Sequence, residues 1–406
     1  MAREPFAVNI FENLVKEMLL GGYERDTTMF LLPYDWRLDL ETNVNLLNQK
    51  IQEVKLLTGS SKVNLITHSM GGLLAKDYLN QYGKSDVNKL VFVGTPHLGA
   101  PKAAKVILFG EDLTIPWLEG DRIKELALNS ISAHELLPIP KYFDQFAGYI
   151  KKYGSTSALD YGQTKDFLLN EKGLNSTIFA KAEEFSGKHL EDYDFSGINA
   201  YNIAGCKTST EAGYQFGAGN LGISQIKKAS GDGTVPLPSA DYINLSADNK
   251  FYVKNADHAE LPSTNGVREL ILGILQGQIN PASNISRNQD FCRFKGKDLL
   301  WRSPVAVHIY DASNRHTGPI ENNGIEYGIP GVGYDIIAGE KFIFLPTDEG
   351  QIYQVVAQGL ADSTFDLLVS ENDNGEVLKT SVFNDVTITP QTVVGFGLTD
   401  IGIPAS

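Results

Sequence analysis

Two cysteines in 406 residues, Cys206 and Cys292, exclude a multi-disulfide framework and a cysteine-based metal cage, and spacing alone leaves open whether they pair. Positive charge is also scarce: 35 Lys and Arg stand against 49 Asp and Glu, a formal net charge of −14. That balance argues against nucleic acid as a partner and against a surface built for anionic headgroups, although a local basic patch would be hidden in the sum. No window approaches 18 uninterrupted apolar residues. The opening Met1-Ala2-Arg3-Glu4-Pro5 lacks a basic stretch followed by an apolar run and a small-residue cleavage site. Tandem repeats and low-complexity segments are absent as well.

With 42% hydrophobic and 21% charged residues, the chain can bury a large core, and its length exceeds what one compact domain usually reaches, so two domains are expected. The first reads as α/β. Asn9 to Leu20 has a helical pattern, Thr28 to Leu32 is a short apolar strand, and Val44, Leu47, Ile51 and Val54 repeat at helical spacing. Lys62 to Thr67 and Lys89 to Val93 read as buried strands flanking a helix that carries Leu73, Leu74, Tyr78 and Tyr82. Strands alternating with helices of this size predict parallel βαβ units. From Pro96 to Ser196 the rhythm lapses into helical pieces with apolar clusters, Val106-Ile107-Leu108-Phe109 and Trp117-Leu118, which reads as an insertion. The rhythm returns with strands at Ala200 to Ala204 and Lys250 to Lys254, and a last helix opening near Ser263 carries Val267, Leu270, Ile271, Ile274 and Leu275. The expected division is therefore 1–280, with 96–196 inserted, and 281–406.

Beyond residue 280 short strands follow one another, at Val305 to Tyr310, Lys341 to Leu345, Ile352 to Val356, Thr364 to Val369 and Val377 to Phe383, which predicts an all-β sandwich. Asn374-Gly375 is a hairpin signal. The acidic run Glu371 to Gly375 resembles a calcium loop only superficially, because the downstream Glu of an EF-hand is missing.

Thr67-His68-Ser69-Met70-Gly71-Gly72 places a serine between a buried strand and a helix, where a sharp turn can push the hydroxyl toward a substrate. A polar loop that merely caps the helix would look much the same. A serine nucleophile needs a base, and histidine has the suitable intrinsic pKa. Of the seven histidines, His258 follows the strand at Lys250 to Lys254, at a carboxyl end where such sheets place their sites. His68 adjoins the serine, His97 opens the insertion, His134 and His189 lie within it, and His308 and His316 fall in the β region. A carboxylate should orient the imidazole. Asp232, between Gly231 and Gly233 and 26 residues before His258, is the preferred candidate, with Asp257 as its rival.

Five segments in this order, Pro33-Tyr34-Asp35-Trp36-Arg37, Thr67 to Gly72, Gly94-Thr95-Pro96-His97-Leu98-Gly99-Ala100, Gly231 to Pro236 and the late His258, resemble the lecithin:cholesterol acyltransferase family over residues 9 to 276. The resemblance implies an α/β-hydrolase core with a mostly parallel sheet, a helical lid inserted after Val93, and acyl esters of lipids as substrates. It implies Ser69 as nucleophile, Asp232 as acid, His258 as base, and the Met70 backbone N–H as an oxyanion donor. Asp35 and Arg37 of the first segment read as fixing loops near the site in preference to reacting. The β region lies outside it and looks like an immunoglobulin-like accessory module.

One departure stands out. The family's second oxyanion donor follows an earlier His-Gly strand, and no such segment precedes Asn9, so a gap is expected in the sheet between Thr28 to Leu32 and Lys62 to Thr67. That points to an N-terminally incomplete chain, whose missing part would hold any signal peptide and so decide between a cell-envelope or extracellular location and another compartment. The leading expectation is a serine carboxylic-ester hydrolase or O-acyltransferase that needs no cofactor and touches lipid surfaces transiently. The alternative is a non-catalytic binding or surface protein built on a hydrolase fragment. Oligomeric state, headgroup and chain-length preference are not legible.

Overall fold

The computed structural model describes residues 10–110, 120–146, 148–218, 222–302, 304–321, 324–337 and 339–399. Its central sheet has the order β1 (Val63–His68), β2 (Val87–Val93), β4 (Asn199–Cys206), β7 (Lys250–Lys254), β8 (Ile285–Ser286); the first four run parallel and β8 antiparallel. A smaller sheet joins β3 (Ile150–Lys151) to the hairpin β5 (Thr208–Phe216) and β6 (Ile223–Gly231).

Strand β2 explains why the central sheet is covered on both faces. Leu90 and Phe92 point into one core with Leu40, Val44, Leu47 and Ile51 of α2 (Leu40–Thr58) and with Leu73, Leu74 and Tyr78 of α3 (Met70–Tyr82). Val91 and Val93 point into the opposite core with Leu14 and Met18 of α1 (Glu12–Leu20) and with Val267, Leu270, Ile271 and Ile274 of the last helix. An uninterrupted apolar run is the signature of a parallel strand buried on both faces. Each such side chain, fully buried, contributes about 1.5–3 kcal/mol.

Two expectations fail here. Thr28 to Leu32 is not a strand: the segment makes only an isolated bridge between Arg25 and Met29, and Leu31 is 53% exposed. The predicted gap has no second wall, because β1 ends the sheet and no strand among the described residues pairs with its far side. Nothing in the sequence pattern marks the hairpin β5–β6, since Thr208 to Phe216 mixes Thr, Ser, Gly and Glu and shows no clean alternation.

Between β2 and β4 lie α4 (Pro101–Phe109), α5 (Gly120–Asn129), α6 (Ile131–Glu135), α7 (Pro140–Phe146), α8 (Tyr161–Asp166) and α9 (Ser176–Ser186), as the lapse in rhythm suggested. Ile107 and Leu108 of the first apolar cluster are buried, in a core shared with Tyr214 and Phe216 of β5 and with Leu300, Ile337 and Phe342 from the C-terminal region. Trp117 and Leu118 lie outside the described residues. The short α10 (Leu237–Ala240) precedes β7, and α11 (Val267–Gln276) is the last helix, opening a few residues later than Ser263.

The C-terminal region holds two antiparallel sheets. One has the order β13 (Gly333–Ile337), β14 (Glu340–Pro346), β9 (Lys295–Arg302), β16 (Ser363–Asp373), β17 (Glu376–Ile388). The other runs β12 (Ile325–Tyr327), β11 (His316–Pro319), β10 (Val305–Asp311), β15 (Tyr353–Gly359), β18 (Val393–Leu398). Trp301, Ile343, Leu345 and Leu367 from the first and Val307, Ile309, Val355 and Leu398 from the second share one core. Asn374, at φ 51°, and Gly375, at φ 89°, form the two-residue hairpin loop between β16 and β17, so the acidic run is the end of β16 and its turn. Cys206, at the end of β4, is disulfide-bonded to Cys292, three residues before β9, across 86 residues. Closing a loop of that length restricts the unfolded chain and stabilises by about 2–4 kcal/mol.

Candidate functional site

Strand β1 delivers Ser69 to the carboxyl end of the sheet, where its N–H donates to the Val93 carbonyl at 2.9 Å. Its backbone sits at φ 55°, ψ −128°, a conformation that L residues avoid. Such strain costs about 1–3 kcal/mol and persists only where the surroundings enforce it. They do so here because α3 begins immediately, at Met70, and lies close to the chain after β2: a Cβ on Gly72 would stand 2.0 Å from Thr95 Oγ1. The neighbouring Gly71 has no such crowding, its nearest foreign atom being Tyr34 Oη at 3.7 Å. Only the second glycine is therefore required by space. Met70 is the first residue of α3, where backbone N–H groups have no carbonyl of their own helix.

Two distant segments converge on the serine. His258 Nε2 is 2.8 Å from Ser69 Oγ, and His258 Nδ1 is 2.8 Å from Asp232 Oδ2. Asp232 is fully buried; its other oxygen accepts from the Thr234 and Val235 N–H groups at 3.1 and 2.8 Å. Gly233, at φ 86°, makes the turn that aims those amides at the carboxylate. The His258 N–H donates to the Asp232 carbonyl at 2.7 Å, so the two loops are also tied through the main chain. Asp232, not its rival Asp257, is the carboxylate that meets the imidazole. A line in which Asp232 accepts from Nδ1–H leaves Nε2 as the acceptor for the serine hydroxyl.

The remaining histidines sit elsewhere. His97 is buried against Asn202 at 3.2 Å, and burial holds its pKa well below the ordinary value. His134 bonds the Ser130 carbonyl, His189 is exposed beside Glu191, and His308 and His316 pair with each other across β10 and β11. His68, by contrast, contacts His258 itself. Local sequence gave no hint of that contact, because the partner is 190 residues away.

The segment Pro33 to Arg37 abuts the elbow through Tyr34, whose hydroxyl is pushed up to about 12 by burial. It is held mainly by its carbonyls. Asn43 Nδ2 donates to Asp35 O at 3.0 Å, Ser130 Oγ donates to Arg37 O at 3.0 Å, and Ser132 Oγ donates to Trp36 O. Asp35 and Arg37 form a bidentate pair at 2.8 and 2.7 Å in solvent. Among the described residues no cluster of three or more His, Cys, Asp or Glu is arranged to hold a metal ion, and no helix is long and apolar enough to cross a membrane.

A parallel sheet with a strained serine turn at its carboxyl end, met by a histidine from the loop after a later strand, is the architecture of an α/β-hydrolase. The family model for lecithin:cholesterol acyltransferase matches residues 5–187. Phospholipase A(1) LCAT3 of Arabidopsis thaliana is 35% identical over 310 residues, covering 63% of this chain and 67% of that protein. The chain belongs to the lecithin:cholesterol acyltransferase family. Lecithin-cholesterol acyltransferase-like 4 of Arabidopsis thaliana is 27% identical, covering 83% of this chain and 68% of that protein. The lysosomal phospholipase A and acyltransferase of Bos taurus is 25% identical, covering 56% of each. Among solved structures, a Bacillus licheniformis lipase in propeptide form is 12% identical with a TM-score of 0.36, covering 98% of this chain and 92% of that one.

Proposed function

We propose that the protein cleaves acyl groups from lipid esters through an acyl-Ser69 intermediate and passes them to water or to an alcohol. The observation that carries this reading is the line Asp232 to His258 to Ser69, with both contacts at 2.8 Å and the serine on a strained turn. His258 Nε2 takes the hydroxyl proton as Ser69 Oγ bonds the ester carbonyl carbon. The negative charge on the carbonyl oxygen is supported by the Met70 N–H. Collapse breaks the ester C–O bond, and the leaving alcohol takes the proton from His258. Water or an acceptor alcohol then gives its proton to the same nitrogen and attacks the acyl carbon; the acyl–Oγ bond breaks as Ser69 Oγ takes that proton back from His258. Asp232 orients the imidazole and stabilises its cationic form throughout.

In the same reading residues 1–280 are the catalytic unit, 96–196 shield the acyl chain, and 281–406 are an accessory module. The two five-stranded antiparallel sheets of that module share one core, which supports an immunoglobulin-like sandwich as its architecture. Relatives named as phospholipases and acyltransferases support glycerophospholipids as the first substrates to try.

The test is hydrolysis of a short-chain and a long-chain p-nitrophenyl ester and of phosphatidylcholine, with Ser69→Ala as control. Turnover should fall at least about 10⁴-fold in the variant. Equal turnover in parent and variant would sink the acyl-serine reading.

A further inference from the structure

Ser69 and His258 are linked a second time, by a route that does not pass through their reacting atoms. The ring of His68, next to the serine, brings its Nε2 to 2.8 Å from the backbone carbonyl oxygen of His258. A carbonyl can only accept, so Nε2 must carry the proton and Nδ1 the lone pair. The two imidazoles stand 4.8 Å apart with a 39° tilt, and Phe11 meets His68 edge-on at 5.9 Å. The peptide unit on the other side of His258 is held as well, since its N–H donates to the Asp232 carbonyl. The base is thus gripped by the acid's loop at its nitrogen and by the nucleophile's own strand at its carbonyl.

We propose that His68 is a positioning residue, whose Nε2–H pins the main chain of His258 so that the His258 imidazole stays within hydrogen-bond distance of Ser69. This rests on the acyl-serine reading above. His68 is not a second base, because its Nε2 is already committed to the carbonyl. Burial, with the His258 ring beside it, lowers the His68 pKa to about 3, against the smaller opposing effects of the His258 carbonyl and the Asp232 carboxylate. The neutral form the carbonyl contact uses is therefore the one present across the working pH range.

The geometry makes different demands on different replacements. Glutamine can place an amide N–H near the position of Nε2, whereas asparagine is too short. His68→Asn should lower kcat on a p-nitrophenyl ester about 10- to 100-fold with KM little changed, since a misplacement of about 1 Å in a reacting group has that order of cost. His68→Gln should recover to within about fivefold of the parent. A reading independent of turnover is the far-downfield proton resonance of the His258 Nδ1–H, expected in the parent, kept in His68→Gln and broadened or lost in His68→Asn. Parental kcat and resonance in His68→Asn would overturn the proposal, as would equal loss in both variants, which would mean ring packing rather than the donor. If Ser69→Ala proves as active as the parent, the acyl-serine reading falls, while the resonance still decides whether His68 holds His258.

Discussion

Around Ser69, polar side chains from three loops meet in a line that ends at a hydroxyl with one charged carboxylate at its far end. Between the insertion and the C-terminal sheets, charged side chains meet in a ring instead. Lys105 of α4 lies 2.6 Å from Glu211 of β5 and 3.1 Å from Asp335 of β13, and Lys228 of β6 lies 2.6 Å from the same Asp335. Tyr214 adds a hydroxyl donor to Glu211. The line has an open end, where a proton has somewhere to go. The ring closes on itself through Lys228, 4.0 Å from Glu211, and sets Lys105 and Lys228 against Glu211 and Asp335. Neighbouring lysines hold the Asp335 carboxyl far below the ordinary range despite its burial. One arrangement retains capacity for chemistry; the other exhausts it in joining three parts of the chain.

Substitutions should separate the two. The largest effect is expected on turnover, from Asp232→Asn, whose amide would favour the wrong imidazole tautomer and lower kcat about 10⁴-fold. Its unfolding temperature should move far less than its activity, because the Thr234 and Val235 amides still find a carbonyl acceptor. A loss of fold in place of a loss of rate would mean that the line, like the ring, is chiefly structural.

The next effect should appear in stability alone. Lys105→Ala removes both cationic contacts and leaves Glu211, whose side chain is 4% exposed, facing the ring without its nearest cation. Breaking a buried pair from one side costs about 3–5 kcal/mol. Denaturant unfolding should report that loss, while ester turnover of the folded fraction stays near the parent's. Replacing Lys105 and Glu211 together by apolar residues of similar volume should cost much less, since the isolated charge is then gone as well.

A third, smaller effect comes from Glu135, a buried acid whose partner is the Leu40 N–H at 3.0 Å. Burial raises its pKa to about 7, outweighing the Leu40 hydrogen bond and the nearby Lys188. The folded state therefore holds this proton more tightly than the unfolded state does. Its stabilising contribution is full below the ordinary carboxyl value of about 4.3 and is lost as pH rises through about 7. Glu135→Gln keeps a carbonyl for Leu40 and should be more stable than the parent by about 1–3 kcal/mol at pH 8, with the gain vanishing toward pH 4. A gain of equal size at both pH values would show that ionisation is not its source.

The same contrast explains what sequence could and could not reveal. The serine turn was legible because its demands are local: a buried strand, a helix starting at once, and a small residue where Thr95 presses on Gly72. The alternating strands and helices, the helical insertion and the late histidine were legible through periodicity and order. The hairpin from Thr208 to Gly231 was not, because Glu211 and Lys228 look like surface residues until Lys105 and Asp335 arrive from elsewhere in the chain. Thr28 to Leu32 misled for the converse reason, since an apolar run becomes a strand only when another strand accepts its hydrogen bonds. Neither the Cys206–Cys292 bond nor the His68 contact has a local signature, as 86 and 190 residues separate their ends.

The smallest effect belongs to the charge pair that sequence makes most conspicuous. Asp35 and Arg37 meet in ideal bidentate geometry, yet both lie near water, and a pair between exposed charges is screened and gains little over hydration. What fixes this segment against the serine turn is its carbonyls, above all through the buried Asn43, whose amide reaches Asp35 O and Asp39 O. Arg37→Ala should therefore leave the unfolding temperature almost unmoved, whereas Asn43→Ala, which removes the side-chain donor and leaves those carbonyls only the Leu38 and residue-43 backbone N–H groups at 3.2 and 3.3 Å, should cost about 0.5–1.5 kcal/mol. If Arg37→Ala proved the more damaging of the two, charge rather than main-chain anchoring would be holding the segment beside Ser69.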